Sequence, residues 1–290
     1  MADASLAVPL PYEPNRFRST AAFYGRYRVA YPQALIARVA ERCGLAAGDA
    51  VLDIGCGPGP LAIGFARLGA RATGLDPEPE MLAAAAAEAD RVGVDISLVE
   101  GSSYDLSSAF GRFRLAVMGR SFHWMDRPAT LAILDRMIEA DGAVVLFGDR
   151  RIAMPGPDWR AVHKQLLETH APKQAALRRA HHGDEWLPHE AVLLASPFAA
   201  LETLAVVIDQ TLDIEAVVGR ISSMSGSSPE ALGPRRAAFE AELRAGLAAA
   251  APDGRFREIV EVRAVVATRP AATALADRTG SAVRSEAAPG

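Results

Sequence analysis

Val51-Leu52-Asp53-Ile54-Gly55-Cys56-Gly57-Pro58-Gly59 is a short, mostly apolar strand that runs straight into glycine at every second position. A strand that turns at once into a helix, with a ligand lying against its backbone, needs residues without a Cβ, and Gly55, Gly57 and Gly59 meet that need. Leu61–Leu68 beyond the turn has helical character and stops at Gly69. Upstream, 32–43 reads as a helix opened by Pro32 and closed by Gly44, with Leu35, Ile36, Val39 and Ala40 on one face. Downstream the alternation continues: a strand at Ala72–Leu75 ending in Asp76, a helix at Glu80–Arg91, strands at Ile96–Val99 and Leu115–Met118, a helix at Ala129–Ile138 and a strand at Ala143–Phe147. Strands that are largely apolar and separated by helices predict an α/β fold with a doubly wound, mostly parallel sheet covered on both faces.

The rhythm changes after residue 150. Met154-Pro155-Gly156-Pro157 is a breaker, 158–182 reads as one long helix, and strand character returns at Leu204–Gln210. A serine-rich segment at 222–228, a helix at 229–250 and a strand at Ile259–Thr268 follow. The order predicts a seven-stranded sheet whose last two strands come after a helical cap insertion. The expected divisions are an N-terminal arm or lid at 1–31, a core at 32–150, a cap at 151–198, completion of the sheet with further cap helices at 199–268, and a disordered tail at 269–290. Pro9, Pro11 and Pro14, without apolar periodicity around them, mark 1–15 as a flexible arm.

Composition narrows the classes. Half of the 290 residues are hydrophobic, yet no run approaches the roughly 18–20 apolar residues of a spanning helix, so no membrane partner is expected. The start of the chain lacks a basic region followed by an apolar core, which points to a cytoplasmic protein. A net charge of -4 argues against a phosphate backbone as the main partner. Cys43 and Cys56 have no metal-ligand spacing and read as reduced thiols, and no metal is expected. Lys164 and Lys173 are the only lysines, so the positive charge is almost wholly arginine.

With these residues in view, the chain resembles the class I S-adenosylmethionine-dependent methyltransferases, a Rossmann-like family whose first motif is hydrophobic-hydrophobic-Asp-x-Gly-x-Gly-x-Gly. The resemblance implies S-adenosylmethionine as cofactor, with Gly55, Cys56, Gly57 and Gly59 passing beneath its methionine part and Asp53 orienting it. The rival ligand is a nicotinamide or flavin dinucleotide, whose fingerprint places a third glycine where this chain has Pro60. Asp76, followed by Pro77, ends the second strand and is placed to accept hydrogen bonds from ribose hydroxyls, which either nucleoside cofactor requires. Glu100-Gly101-Ser102-Ser103-Tyr104-Asp105-Leu106 follows the third strand, where the family sets its adenine pocket and many members carry an aspartate at the position of Ser102. The resemblance assigns Gly101, Ser102 and Ser103 to that pocket. Met81 matches the apolar residue that packs on adenine, or is plain core.

Tyr24-Gly25-Arg26-Tyr27-Arg28-Val29-Ala30-Tyr31-Pro32 is similar to a Tyr-x-x-Tyr-Arg-x-x-Tyr-Pro segment that lies over the cofactor in many small-molecule methyltransferases. By that likeness Tyr27 and Arg28 are cofactor contacts, Arg28 through the methionine carboxylate, and Tyr24 faces substrate. Gly119-Arg120-Ser121-Phe122-His123-Trp124 follows the fourth strand and resembles the segment at which ubiquinone- and trans-aconitate-type enzymes meet their substrate. Arg120 and Ser121 are then cofactor contacts, Phe122, His123 and Trp124 substrate contacts, and His123 the catalytic candidate, as a base, a donor that aims the nucleophile, or a structural histidine. The Asn/Asp-Pro-Pro-Tyr motif of nucleic-acid amino methyltransferases is absent, which leaves a small-molecule O or N nucleophile as the expected acceptor and no nucleic-acid partner. Arg178, Arg179, His181 and His182 form a basic cluster in the cap, a solvated helix end or a site for an acidic substrate. A catalytically silent cofactor-binding protein and a dinucleotide-dependent oxidoreductase are the alternatives.

Overall fold

A computed structural model describes residues 21–180 and 186–271. The expected flexible arm at 1–15 and residues 272–290 of the expected disordered tail lie outside the described residues. The elements in order are α1 (Ala21–Tyr27), α2 (Gln33–Arg42), β1 (Ala50–Ile54), α3 (Pro60–Ala66), β2 (Arg71–Asp76), α4 (Pro79–Val92), β3 (Ser97–Glu100), β4 (Phe113–Gly119), α5 (Arg127–Met137), β5 (Ile138–Ile152), α6 (Trp159–His170), α7 (Pro172–Ala180), α8 (His189–Leu194), β6 (Ala200–Asp213), α9 (Ile214–Ser222), α10 (Pro229–Leu232), α11 (Arg236–Ala250) and β7 (Arg255–Thr268). They build one seven-stranded sheet of order β3-β2-β1-β4-β5-β7-β6, parallel from β3 to β5 and antiparallel at β7. This is the doubly wound, mostly parallel seven-stranded sheet that the sequence predicts.

Alternation along β5 shows why both faces are covered. Ala143, Val145 and Phe147 meet Leu35, Ile36, Val39 and Phe65 of α2 and α3 on one face. Val144 and Leu146 meet Leu131 and Leu134 of α5 on the other, so the strand is apolar throughout. A third cluster lies off the sheet: Trp159 and Leu167 of α6 pack with Val217 and Ile221 of α9, Phe239, Leu243 and Leu247 of α11, and Phe256 at the start of β7. The cap therefore draws on both interruptions of the sheet, before β6 and between β6 and β7.

Several local expectations change. The single helix at 158–182 is two, because Pro172 has no N–H to donate and α6 ends at His170. The helix at 229–250 is broken at Gly233-Pro234 for the same reason. Helices α1, α8 and α9 lie in segments that carried no helical expectation. Val192 and Leu193 of α8, with Phe198, pack into the cluster of α5 and β5, so the last part of 151–198 joins the sheet's covering layer instead of the cap. Strands β5, β6 and β7 run 15, 14 and 14 residues, well past the apolar stretches that mark them in the sequence. Antiparallel ladders carry them beyond the end of β4, as far as Ile152↔Ile259 and Asp213↔Arg255.

Candidate active site

The glycine turn lies at the C-terminal end of β1, with Gly55, Gly57 and Gly59 all in left-handed backbone, at φ of 67°, 55° and 78°. Their reasons differ. A Cβ on Gly55 would stand 2.6 Å from Cβ of Ser121, and one on Gly59 would stand 3.0 Å from Cβ of Ala85 on α4, so these two glycines admit neighbouring chain. A Cβ on Gly57 would meet nothing within 4 Å, which leaves open space against the middle of the turn. The turn is tied to β2: Gly55 and Cys56 donate to the Leu75 carbonyl at 2.7 and 3.0 Å, and Gly57 N–H donates to Oδ2 of Asp76 at 2.8 Å. The other oxygen of Asp76 accepts from Glu78 N–H at 3.0 Å, so each oxygen keeps a lone pair. Burial raises the Asp76 pKa against these bonds. Pro77 follows it at the turn into α4, where Met81 is buried one turn along.

Asp53 lies beneath the turn. Its Oδ2 accepts from Ala62 N–H at 3.0 Å, while Oδ1 is buried with no hydrogen-bond partner among the described residues. Burial first, with the nearby Asp76 charge adding to it, pushes the Asp53 carboxyl up to about 7.

The segment 24–31 crosses the ends of β4 and β5. Arg28 holds its guanidinium over the Tyr24 ring at 5.4 Å, and its Nε is buried without a partner among the described residues. Arg120, in left-handed backbone at φ 57°, donates through Nη2 to the Val29 carbonyl at 2.8 Å and through Nε to Asp149 at 2.5 Å, and stacks over Tyr31 at 4.5 Å. Burial alone would raise the Asp149 carboxyl, but Arg120, with Arg28 and Arg160 behind it, holds it below the usual range. Arg120 is thus the clamp of the segment, and Ser121 is tied too, its hydroxyl donating to the Ile54 carbonyl at 2.6 Å. The Tyr31 hydroxyl is buried without a partner among the described residues, against Gly119. Tyr27 packs on α9, where a Cβ on Gly219 would stand 2.6 Å from its ring, and its carbonyl accepts from Arg220 at 2.9 Å. Arg220 in turn pairs with Glu258 of β7, a fully buried carboxylate that also holds Arg160 at 2.5 Å and Gln210 at 2.9 Å.

Beyond β4, Phe122, His123 and Trp124 form a single 3-10 turn. Phe122 is buried, and the half-buried His123 and Trp124 rings lie 4.6 Å apart. His189 of α8 joins them, 5.2 Å from Phe122 and nearly parallel to His123 at 6.3 Å. Burial, then the Arg127 charge, pushes the His189 pKa down to about 4. Arg127 donates to the Leu187 carbonyl at 2.7 Å and stacks on Trp186 at 4.1 Å. Of the basic cluster in the cap, Arg179 pairs with Glu168 on the surface, while His181, His182 and the Arg178 side chain lie outside the described residues.

At the end of β3, Pro77, Glu100, Gly101, Ser102, Tyr104 and Asp105 line an open pocket of about 460 Å³. Ser103 opens a 3-10 turn capped by Ser102 and Asp105 in reciprocal fashion. Tyr31, Asp105, Asp149 and His189 were not among the residues expected from the sequence. Tyr31 and Asp105 lie inside motifs already quoted, and Asp149 follows the fifth apolar strand. His189 had no signal, since only packing brings α8 to the β4 end.

These features fit an S-adenosyl ligand: open backbone at Gly57, a carboxylate with free lone pairs at β2, an orphaned acceptor on Asp53 and an orphaned guanidinium N–H on Arg28. Residues 51–142 match the model of a methyltransferase domain. The ubiquinone biosynthesis O-methyltransferase of Methylobacterium sp. (strain 4-46) is 44% identical over 71 residues, 24% of this chain and 28% of that protein. The ribosomal protein L11 methyltransferase of Thermus thermophilus is 46% identical over 70 residues, 24% of this chain and 27% of that protein. The chain therefore spans little more than a quarter of these relatives' length, and two different acceptors are named for them. A SAM-dependent methyltransferase from Thiobacillus denitrificans, solved with S-adenosyl-L-homocysteine, shares the fold at a TM-score of 0.53 and 15% identity, over 91% of this chain and 100% of that one. Residues 51–142 are thus a methyltransferase domain, and the chain around them shares the fold of a solved S-adenosylmethionine-dependent methyltransferase.

Proposed function

We propose that this protein transfers a methyl group from S-adenosylmethionine to an oxygen or nitrogen of a small molecule. The observation that carries the reading is the glycine turn of β1, bonded through Gly57 to Asp76 and left open on its ligand side. S-adenosylmethionine supplies an electrophilic methyl on a sulfonium, whose transfer is an in-line displacement that needs positioning more than it needs acid or metal chemistry. Asp76 holds the ribose, Asp53 and the turn orient the methionine part, and Arg28 pairs with its carboxylate. The 3-10 turn of Phe122, His123 and Trp124 faces the acceptor, at the carboxyl end of the strands where ligands collect in open α/β sheets. Trp186 and His189 add an aromatic wall there. The cap of α6, α7, α9, α10 and α11, with the segment around α1, excludes water from the reacting groups.

Titration with S-adenosylhomocysteine, followed by transfer of labelled methyl across a metabolite library, tests this. Binding is expected, and methylation of at least one hydroxyl or amine. Asp76→Ala is expected to weaken binding at least ten-fold, and to lower Tm as well because Gly57 and Glu78 lose their acceptor. Absence of binding by the native protein overturns the reading; binding with no transfer to any library member marks a cofactor-binding protein that does not turn over.

A further inference from the structure

Where β5 ends and β7 begins, the sheet meets the cap over a surplus of positive charge. Asp149 of β5 pairs with Arg120, and the charges of Arg28 and Arg160 act on the same carboxylate. Glu258 of β7 holds Arg160 and Arg220, and Arg220 in turn lies within reach of the Arg160 and Asp149 charges. Four guanidinium groups therefore share two carboxylates in one connected cluster. The neighbouring pair of Arg151 and Asp158 is balanced and leaves that count unchanged. Glu258 and Arg220 are buried, and the Arg160 side chain is 26% exposed. Surplus charge in such surroundings is weakly screened and costly to leave uncompensated.

S-adenosylmethionine does not discharge this surplus. The methionine carboxylate proposed for Arg28 comes with an α-ammonium on the same carbon, and the sulfonium adds a further positive charge. Donors in the cluster also lack acceptors. Arg160 gives Glu258 one bond, from Nη1, while its Nε and Nη2 make no hydrogen bond among the described residues. Its guanidinium stacks 4.2 Å over the ring of Trp159, a residue 2% exposed whose Nε1 is buried without a partner among the described residues. We infer that the methyl acceptor is a small carboxylic acid, its carboxylate taken in bidentate fashion by the Nε and Nη2 edge of Arg160 between the cap and the sheet. This rests on the proposed methyl transfer to a small molecule. The two N–H groups of a guanidinium edge match the two oxygens of a carboxylate, and the acid brings negative charge to the cluster and to the sulfonium alike. Glu258, itself fixed by Arg220 and Gln210, holds Arg160 in orientation.

Thermal-shift titration of the protein saturated with S-adenosylhomocysteine tests the inference before the acceptor is identified. Malonate, succinate and benzoate are compared with malonamide, succinamide and benzamide, and with chloride at equal ionic strength. At least one carboxylate is expected to bind about ten-fold or more tightly than its amide, and Arg160→Gln to bring the two within about two-fold. Arg160→Lys keeps a charge opposite Glu258 and serves if the glutamine variant fails to fold; it lacks the bidentate edge and should weaken the carboxylate by a similar factor. Arg179→Gln, on the cap surface, should leave the preference as it is. In the methyl-transfer library the compounds that take up label are expected to be acids, with KM raised more than kcat is lowered in Arg160→Gln. Equal binding of acid and amide by the native protein, a preference that survives substitution of Arg160, or a neutral or cationic compound as the best acceptor overturns the inference and leaves the cofactor reading standing. A response to inorganic phosphate where no carboxylate acts gives the surplus to a phosphorylated acceptor and also overturns it. Failure of S-adenosylhomocysteine to bind counts against the cofactor itself, and the inference falls with it.

Discussion

Asp53 carries an energetic consequence that its motif does not reveal. Its folded pKa, near 7, lies above the value of a solvated aspartate, so the unfolded chain releases this proton first. The group's contribution to stability is complete below about pH 4 and is lost as pH rises through about 7, by up to about 4 kcal/mol. Asp53→Asn removes that loss. The Tm difference between variant and native protein should therefore move in the variant's favour from pH 5 to pH 8, and a flat difference would deny the burial of the charge. His123 is tested by turnover: once an acceptor is known, His123→Ala is expected to lower kcat by about 10²–10⁴ with S-adenosylhomocysteine affinity retained. Full activity would leave His123 a packing residue against Trp124. At this scale the glycines of the turn were legible because a left-handed backbone favours that residue type. Arg120 and Ser121 were legible as positions only, since their Asp149, Val29 and Ile54 partners come from distant strands and loops.

Among the elements, α1 depends on others for its place. Isolated helices of seven residues are not stable in water, and this one is held by Tyr27 against Gly219 and by Arg220 on the Tyr27 carbonyl. Gly219→Ala separates the local effect from the tertiary one. Alanine favours helix α9 by about 1 kcal/mol, but its methyl would stand 2.6 Å from the Tyr27 ring, and overpacking costs about 1–3 kcal/mol. The expected result is a loosened α1, read as faster tryptic cleavage at Arg26 and Arg28 with little change in global Tm; unchanged cleavage would mean that the arm is held elsewhere. Helices α1, α8 and α9 were illegible because they are short and gain their stability from packing. Helices α2 and α4 were legible from their sequence pattern, and α2 also from the proline and glycine at its ends.

In the whole molecule, the long β5-β7-β6 ladder is a platform on which cap and arm meet, and buried Glu258 is its anchor. Removing that carboxylate strands Arg160 and Arg220, so Glu258→Ala is expected to destabilise the protein by about 3–5 kcal/mol, measured by denaturant unfolding. The proposed pairing of Arg28 with the methionine carboxylate would act on the same junction, by giving an acceptor to a guanidinium whose Nε is buried without a partner among the described residues. Saturating S-adenosylhomocysteine is expected to slow cleavage at Arg26 and Arg28 in the native protein, and equal rates with and without it would remove the arm from the site.

The sequence by itself determined the parallel half of the sheet and the glycine turn, because strand burial, helix periodicity and the need for residues without a Cβ act over a few neighbouring positions. Tertiary structure alone decided how far β5, β6 and β7 extend, that α8 joins the core while the cap is assembled from two separated segments, and that His189 reaches His123. Each of those rests on contacts between residues tens to hundreds of positions apart. Local propensity carries no record of them, since their free energy appears only when the surfaces are brought together and water leaves.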